Sequence, residues 1–309
     1  MQAVTINGYG GLDMLNCVEA PQPQLNHDDV LIRIHAAAVN PVDVALREGY
    51  MAEWVSATFP LILGCDLSGT IEAIGSDVTG FKIGDEVIAR PGFNRDGSYA
   101  EFIAVPATEV VRKPKSLDHI HAAAFPHASL TAWISLISTA NLSAGQTVLI
   151  HGAAGGVGHI AVQLAKLRGA RVIGTASGYN QEFLHQLGVD EAIDYNTTKF
   201  EDVAQQVDVV FDTIGGDTQE RSWSTLKPGG MLVSVVQPPS EERAKALGVR
   251  ASLVGAFSNP AILAEVAGLI DEGKLKPYVS KVLPLCEARK AQEMIGARHT
   301  RGKIVLEVM

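Results

Sequence analysis

Between Val30 and Val111 apolar and polar residues alternate in short runs, "VLIRIHAAAVN", "LSGTIEAIG", "DEVIAR" and "SYAEFIAV", separated by Gly, Pro and Asp clusters. A period of two broken by turn residues predicts a domain built mainly of strands. After "RKPKSLDHIHAAAF" the texture changes: a helical stretch, "SLTAWISLISTA", and the break "NLSAGQ" lead into strands alternating with helices. Six apolar strand candidates follow, at 147–151, 171–176, 191–194, 208–212, 231–236 and 252–257. This alternation predicts a parallel sheet covered on both faces, and six strands complete a doubly wound dinucleotide domain. Beyond it, "PAILAEVAGLIDEG" has the pattern of an amphipathic helix, and "YVSKVLPL", "EARKAQEMIGA" and "GKIVLEV" those of a strand, a helix and a strand. The last strand has no partner among the six and is expected to return to the β domain. The expected division is 1–120 with 262–309 for the β domain and 121–261 for the nucleotide domain.

The stretch "VLIHGAAGGVGHIAVQLAKLRGARVIGTAS" places a glycine loop between a strand and a helix, followed by a second strand. A tight glycine turn lets backbone N–H groups approach a pyrophosphate, and the helix beginning there adds its unsatisfied amides and the positive end of its dipole. Gly152, Ala154, Gly155, Gly156, Val157 and Gly158 are therefore the candidate cofactor-binding residues, although one extra alanine lengthens the G-x-G-x-x-G spacing. An acid after the second strand would favour NAD, through its ribose hydroxyls, over NADP. That place reads Ser177-Gly178-Tyr179-Asn180, with no acid, and Ser177 and Asn180 offer neutral donors to an additional phosphate. NADPH is the expected cofactor, although no Lys or Arg occurs between Arg171 and Lys199.

Composition narrows the classes. A 309-residue chain with 47% hydrophobic and 19% charged residues belongs to a folded protein of two ordinary domains. Its 25 basic against 34 acidic residues, net −9, argue against nucleic acid as a partner. No run of roughly 20 apolar residues predicts a membrane span. The N-terminal "MQAVTINGYGG" lacks the look of a secretory signal. Cys17, Cys65 and Cys286 are scattered without a C-x-x-C pair and read as reduced thiols, so a cytoplasmic location is expected. The apolar "ASLVGAF" would leave an exposed sheet edge in a monomer, which predicts a homodimer.

Taken together, "AAAVNPVDVALREG", "PLILGCDLSGTIEAIGSDVTGFKIGDEVIA", "GSYAEF", "LTAW", "VLIHGAAGGVGHIAVQLAK" and "GKIVLEV" resemble the medium-chain dehydrogenase/reductase superfamily, and within it the zinc-independent quinone oxidoreductase branch. The resemblance covers nearly the whole chain. It implies an α/β fold: a GroES-like β domain completed by the C-terminal segment, a Rossmann domain with a six-stranded parallel sheet, and an active site in the cleft. Zinc members of the superfamily bind a catalytic metal through Cys, His and Cys, and most carry a second site of four cysteines. Here the matching positions hold Asn40, Cys65 and His127, no cysteine occurs between Asp85 and Phe102, and Asp66 follows Cys65. Asn40 and Asp43 match the N-x-x-D of the zinc-free branch, so no metal is expected. Cys65 then reads as a buried small hydrophobe and His127 as a cleft-lining or capping residue. Asp43 and Arg47, four apart, read as a helix-surface pair.

The implied reaction is hydride transfer from NADPH to a quinone or an α,β-unsaturated carbonyl, with Asn40 and Tyr50 as donors to the charge developing on oxygen. Tyr195, Gly215, Val236, Gly255 and Phe257 match the strand ends that contact the cofactor in the family. Two other readings compete: a zinc-type alcohol dehydrogenase with degenerate ligands, and a non-catalytic NADPH-binding protein of crystallin-like or sensing type.

Overall fold

The computed structural model describes residues 1–308 and divides the chain into two compact units, Met1–His127 with Phe257–Met309, and Ala128–Ala256. The first unit begins with eight strands: β1 (Gln2–Ile6), β2 (Asn16–Glu19), β3 (Asp29–Val39), β4 (Leu61–Ile62), β5 (Leu67–Ile74), β6 (Glu86–Ala89), β7 (Phe102–Pro106) and β8 (Val110–Arg112). β1 pairs with β2 and β4 in a small antiparallel sheet. The long β3 pairs with both β5 and β7. Val30, Ile32 and Ile34, two apart along β3, point into one core with Leu67, Ile71 and Val87. This is the alternation the sequence shows, now converted into one packed face.

The second unit holds β9 (Thr147–Ile150), β10 (Arg171–Ala176), β11 (Glu191–Asp194), β12 (Val207–Asp212), β13 (Leu226–Ser234) and β14 (Arg250–Leu253). All pair in parallel, in the order β11-β10-β9-β12-β13-β14. This is the six-stranded doubly wound sheet expected from the sequence. The last strand differs from its expected span of 252–257. Pairing with β13 runs from Met231↔Arg250 to Ser234↔Leu253, so β14 ends with its neighbour and Gly255 lies beyond the ladder.

The chain then returns to the first unit. The helix Pro260–Asp271 is followed by β15 (Val279–Pro284), the helix Ala288–Gly296 and β16 (Lys303–Glu307). β16 pairs antiparallel with β3, Ile304 opposite Val39, and parallel with β15. This closure corrects the reading of the cysteines. Cys17 on β2 and Cys286, 269 residues later, form a disulfide with Cα atoms 5.3 Å apart, while Cys65 is free and buried. Spacing along the chain could not show the pair, because only the folding back of the C-terminal segment brings Cys286 to β2. Among the described residues no helix is long and apolar enough to cross a membrane.

Candidate active site

In the second unit the glycine loop follows β9, at the carboxyl end of the strand where the strand order reverses, the place where open α/β sheets bind ligands. Gly152 has φ +63°, and a side chain on it would meet Thr213 Oγ1 at 2.7 Å. At Gly158, where the helix Gly158–Leu167 begins, an added Cβ would collide with the Gly152 carbonyl, so only glycine allows the helix to pack on the strand end. Ala153 N–H donates to Thr175 O (3.0 Å) and Gly155 N–H to Gly152 O (2.9 Å). The amides of Ala154, Gly156 and Val157 have no acceptor among the described residues. Unspent backbone donors at a helix N-terminus fit a dinucleotide's pyrophosphate.

Around this loop the buried side chains are locked. His151 Nε2 donates to Ser222 Oγ (2.8 Å) and Nδ1 accepts from Thr175 Oγ1 (3.2 Å), and burial lowers its pKa to about 4. At the end of β12, buried Asp212 accepts the N–H groups of Ile214 and Gly215 (2.9 and 2.8 Å), the amide of Gln219 (2.9 Å) and the hydroxyl of Ser234 (3.0 Å). Asp212 thereby shapes the turn at Gly215, whose φ is +78°, a role the sequence reading missed. Asn180 is buried and donates to Ser177 Oγ (3.2 Å), while Tyr195 and Val236 are half exposed. Folding also brings Asp194, at the end of β11, beside this place: a side chain on Gly178 would lie 2.7 Å from Asp194 Oδ2. Gly255 follows β14, and the strongly exposed Phe257 opens the return segment of the first unit.

In the first unit Asn40 follows β3 and caps the helix Pro41–Arg47, with Pro41 at its first position. The Asp43 carboxylate accepts the Asn40 backbone N–H (2.8 Å) and the Tyr99 hydroxyl (2.8 Å). The expected helix-surface pair of Asp43 and Arg47 is therefore replaced by two buried residues with separate partners. Arg47 donates to Gln292 Oε1 (2.7 Å) and Gly10 O (3.1 Å) and pairs with Glu48. The helix lies with this face inward, which period alone cannot reveal when both charged positions find buried partners.

The Asn40 side chain faces a cluster of charges. Its Nδ2 donates to Asp66 Oδ2 (2.9 Å), with longer approaches to Ala38 O (3.3 Å) and Cys65 Sγ (3.6 Å), and its Oδ1 accepts from Lys303 Nζ. Lys303, the first residue of β16, also reaches Asp66 Oδ2 at 3.4 Å. Asp66 Oδ1 accepts the His127 backbone N–H (2.7 Å), and Arg90 Nε donates to His127 Nδ1 at 3.5 Å. Asn40 and Lys303 are only 2% and 3% exposed. Burial raises the Asp66 pKa against the pull of Lys303, and raises that of the Cys65 thiol well above its ordinary value, so Cys65 is an inert thiol. Burial, then Arg90 and Lys303, hold His127 well below the usual imidazole range.

These residues do not suit a metal ion. Among the described residues no group of three or more His, Cys, Asp or Glu gathers to hold one. The amide of Asn40 faces Asp66 and Lys303, and two cations stand beside Cys65 and His127. Tyr50 follows the C-terminus of the Asn40 helix and is 72% exposed.

Residues 26–115 match the family described as "Alcohol dehydrogenase GroES-like domain", and 187–306 that described as "Zinc-binding dehydrogenase". The chain is 34% identical to "NAD(P)H oxidoreductase RTN4IP1, mitochondrial" of Danio rerio, over 100% of this chain and 92% of the relative. It is 36% identical to "NADPH-dependent alkenal/one oxidoreductase, chloroplastic" of Arabidopsis thaliana, over 99% and 79%. The solved quinone oxidoreductase from Coxiella burnetii superposes with a TM-score of 0.94 at 36% identity, covering 100% of this chain and 99% of that one. With likeness of this extent in sequence and fold, the chain belongs to the medium-chain dehydrogenase/reductase superfamily, in its quinone oxidoreductase-like branch.

Proposed function

We propose that this protein is an NADPH-dependent oxidoreductase that reduces a quinone or an α,β-unsaturated carbonyl. The observation that carries the proposal is the loop 152–158, whose unspent amides at a helix start suit the cofactor's pyrophosphate. The names of the relatives support the cofactor and the substrate class. Gly152, Ala154, Gly155, Gly156, Val157 and Gly158 hold the pyrophosphate, Ser177 and Asn180 face the additional phosphate, and Tyr195, Gly215, Val236, Gly255 and Phe257 line the rest of the cofactor. Bound NADPH supplies the hydride.

As negative charge collects on the substrate oxygen, Asn40 and Tyr50 serve as donors. Asn40 can do so with the amide hydrogen now held only by the long approaches to Ala38 and Cys65. The proposed assembly is a homodimer through β14, which ends its sheet and leaves Leu253 49% exposed. The proposed compartment is the cytoplasm; fractionation of intact cells tests it, and recovery of the protein with an organelle fraction contradicts it.

The test is NADPH oxidation by chelator-treated protein with a naphthoquinone and a short enone, beside oxidation of a simple alcohol with NADP. Turnover of the conjugated substrates that survives the chelator is the expected result. Activity that disappears with the chelator and returns with zinc, or oxidation of the alcohol alone, overturns the proposal.

A further inference from the structure

The sequence lacks an acid directly after β10, and the fold supplies one from the neighbouring strand. In the ladder of β10 with β11, Ala176 stands opposite Asp194, and Tyr195 N–H donates to Ala176 O at 3.3 Å, so the end of β11 lies alongside Ser177. Asp194 Oδ1 accepts the backbone N–H and the side-chain amide of Asn196, each at 3.0 Å, which fixes the half-buried carboxylate at the turn after β11. Its Oδ2 faces Gly178, where a Cβ would stand only 2.7 Å away, and has neither a hydrogen-bond partner nor an ion pair among the described residues. Gly178 lies between Ser177 and Asn180, whose side chains are joined at 3.2 Å. The nearest basic residues along the chain are Arg171, at the opposite end of β10 and paired with Glu191, and the exposed Lys199, which precedes the next helix. A fixed carboxylate with one free oxygen accepts a ribose hydroxyl, whereas a phosphate on that hydroxyl meets like charge.

We propose that Asp194 is a specificity-determining residue of the cofactor site: its free oxygen accepts the adenosine ribose hydroxyls of NADH and opposes the additional phosphate of NADPH, so that NADH serves as a second hydride donor. The inference rests on the dinucleotide reading of the loop 152–158 and on Ser177 and Asn180 facing that phosphate. Those two neutral donors favour the phosphate and Asp194 works against it, which leaves the preference for NADPH narrow. Sequence order hides the residue, because Asp194 ends the third strand of this sheet in chain order and reaches Ser177 only through the parallel pairing of β10 with β11.

Fluorescence titration of NADPH and NADH on wild type and Asp194→Asn decides it. The variant keeps the Oδ1 acceptor for Asn196 and the size of the side chain, and removes the charge. Wild type is expected to bind NADH within about tenfold of NADPH. Asp194→Asn is expected to bind NADPH roughly tenfold more tightly than wild type does, and NADH no more tightly. The gain for NADPH should shrink between about 50 and 500 mM salt, as the repulsion removed by the variant is already screened in wild type. Asp194→Ser, which removes the charge with a different side chain, should move the ratio of affinities in the same direction. A ratio that stays unchanged in both variants, moves toward NADH or ignores salt overturns the inference and leaves the dinucleotide reading intact, as does wild type that binds NADPH and no NADH. Wild type that binds neither cofactor overturns the dinucleotide reading, and this inference with it.

Discussion

The two units prepare for their ligands by different means. In Ala128–Ala256 the candidate site is backbone: unspent amides in one short loop, made possible by the missing Cβ atoms of Gly152 and Gly158. In the other unit it is side chain: Asn40, Cys65, Asp66, Arg90, His127 and Lys303, gathered from the ends of separate elements around buried charge. A backbone site is sensitive to volume and indifferent to most changes of side-chain chemistry. A site of buried charges is sensitive to compensation, since removing one partner leaves the other charged and unsolvated.

The largest difference expected between the units is in how they are fastened. Only the first carries the disulfide, which spans 269 residues. By loop entropy such a closure is worth up to about 5 kcal/mol. Cys17→Ser should therefore lower the midpoint of thermal unfolding, and hydrogen exchange should rise in the first unit more than in the second. An unchanged midpoint in non-reducing buffer means that the bond contributes nothing.

Charge compensation comes next. Asp66→Ala strands Lys303 and should cost about 3–5 kcal/mol in denaturant unfolding. Glu220→Ala in the second unit removes only a half-exposed partner of Arg243 and should change stability by less than about 1 kcal/mol. Similar losses at both positions would erase the contrast.

One buried group in each unit should also respond to pH, the two in opposite directions. Asp43 is pushed from 3.8 up to about 6 by burial. Folding binds its proton more tightly, so its contribution is present at acid pH and lost as pH rises through about 6. His151 is lowered from 6.5 to about 4 by burial. Folding weakens its proton binding, so stability is lost as pH falls from 6.5 through about 4. Each shift corresponds to about 3 kcal/mol. Relative to Asp43→Asn, wild type should lose stability from pH 4 to 7, and relative to His151→Gln it should gain over the same range. Slopes of the same sign would refute one assignment.

Within the nucleotide unit, Gly158→Val should weaken NADPH on the order of 100-fold, because the helix start must shift away from the strand end. Fluorescence titration measures this, and near-normal affinity would remove the loop from the site. The smallest effect is expected at Ser177→Asp, which should weaken NADPH roughly tenfold more than NADH through repulsion of the additional phosphate. Equal weakening of both cofactors would place Ser177 away from that phosphate.

Much of this was legible in the chain. The six parallel strands and the glycine loop follow from local pattern, since a buried parallel strand is a short apolar run and a tight turn needs glycine where it occurs. The residues point to Asn40 but not to its partner Lys303. Nothing between residues 40 and 303 announces that Lys303 will bond to Asn40, or that Cys17 will meet Cys286. Asp43 and Arg47 have the spacing of a surface pair and are buried with other partners.

The sequence by itself determined the elements, their order, the doubly wound sheet and the turn that suits a pyrophosphate, because these rest on interactions among residues a few positions apart. The tertiary structure decided which charges are enclosed, which cysteines are joined and where Asp194 and Lys303 arrive. Those outcomes depend on the return of the C-terminal segment onto β3 and on the alignment of parallel strand ends, and on the loss of water from groups that become neighbours only when the chain has closed.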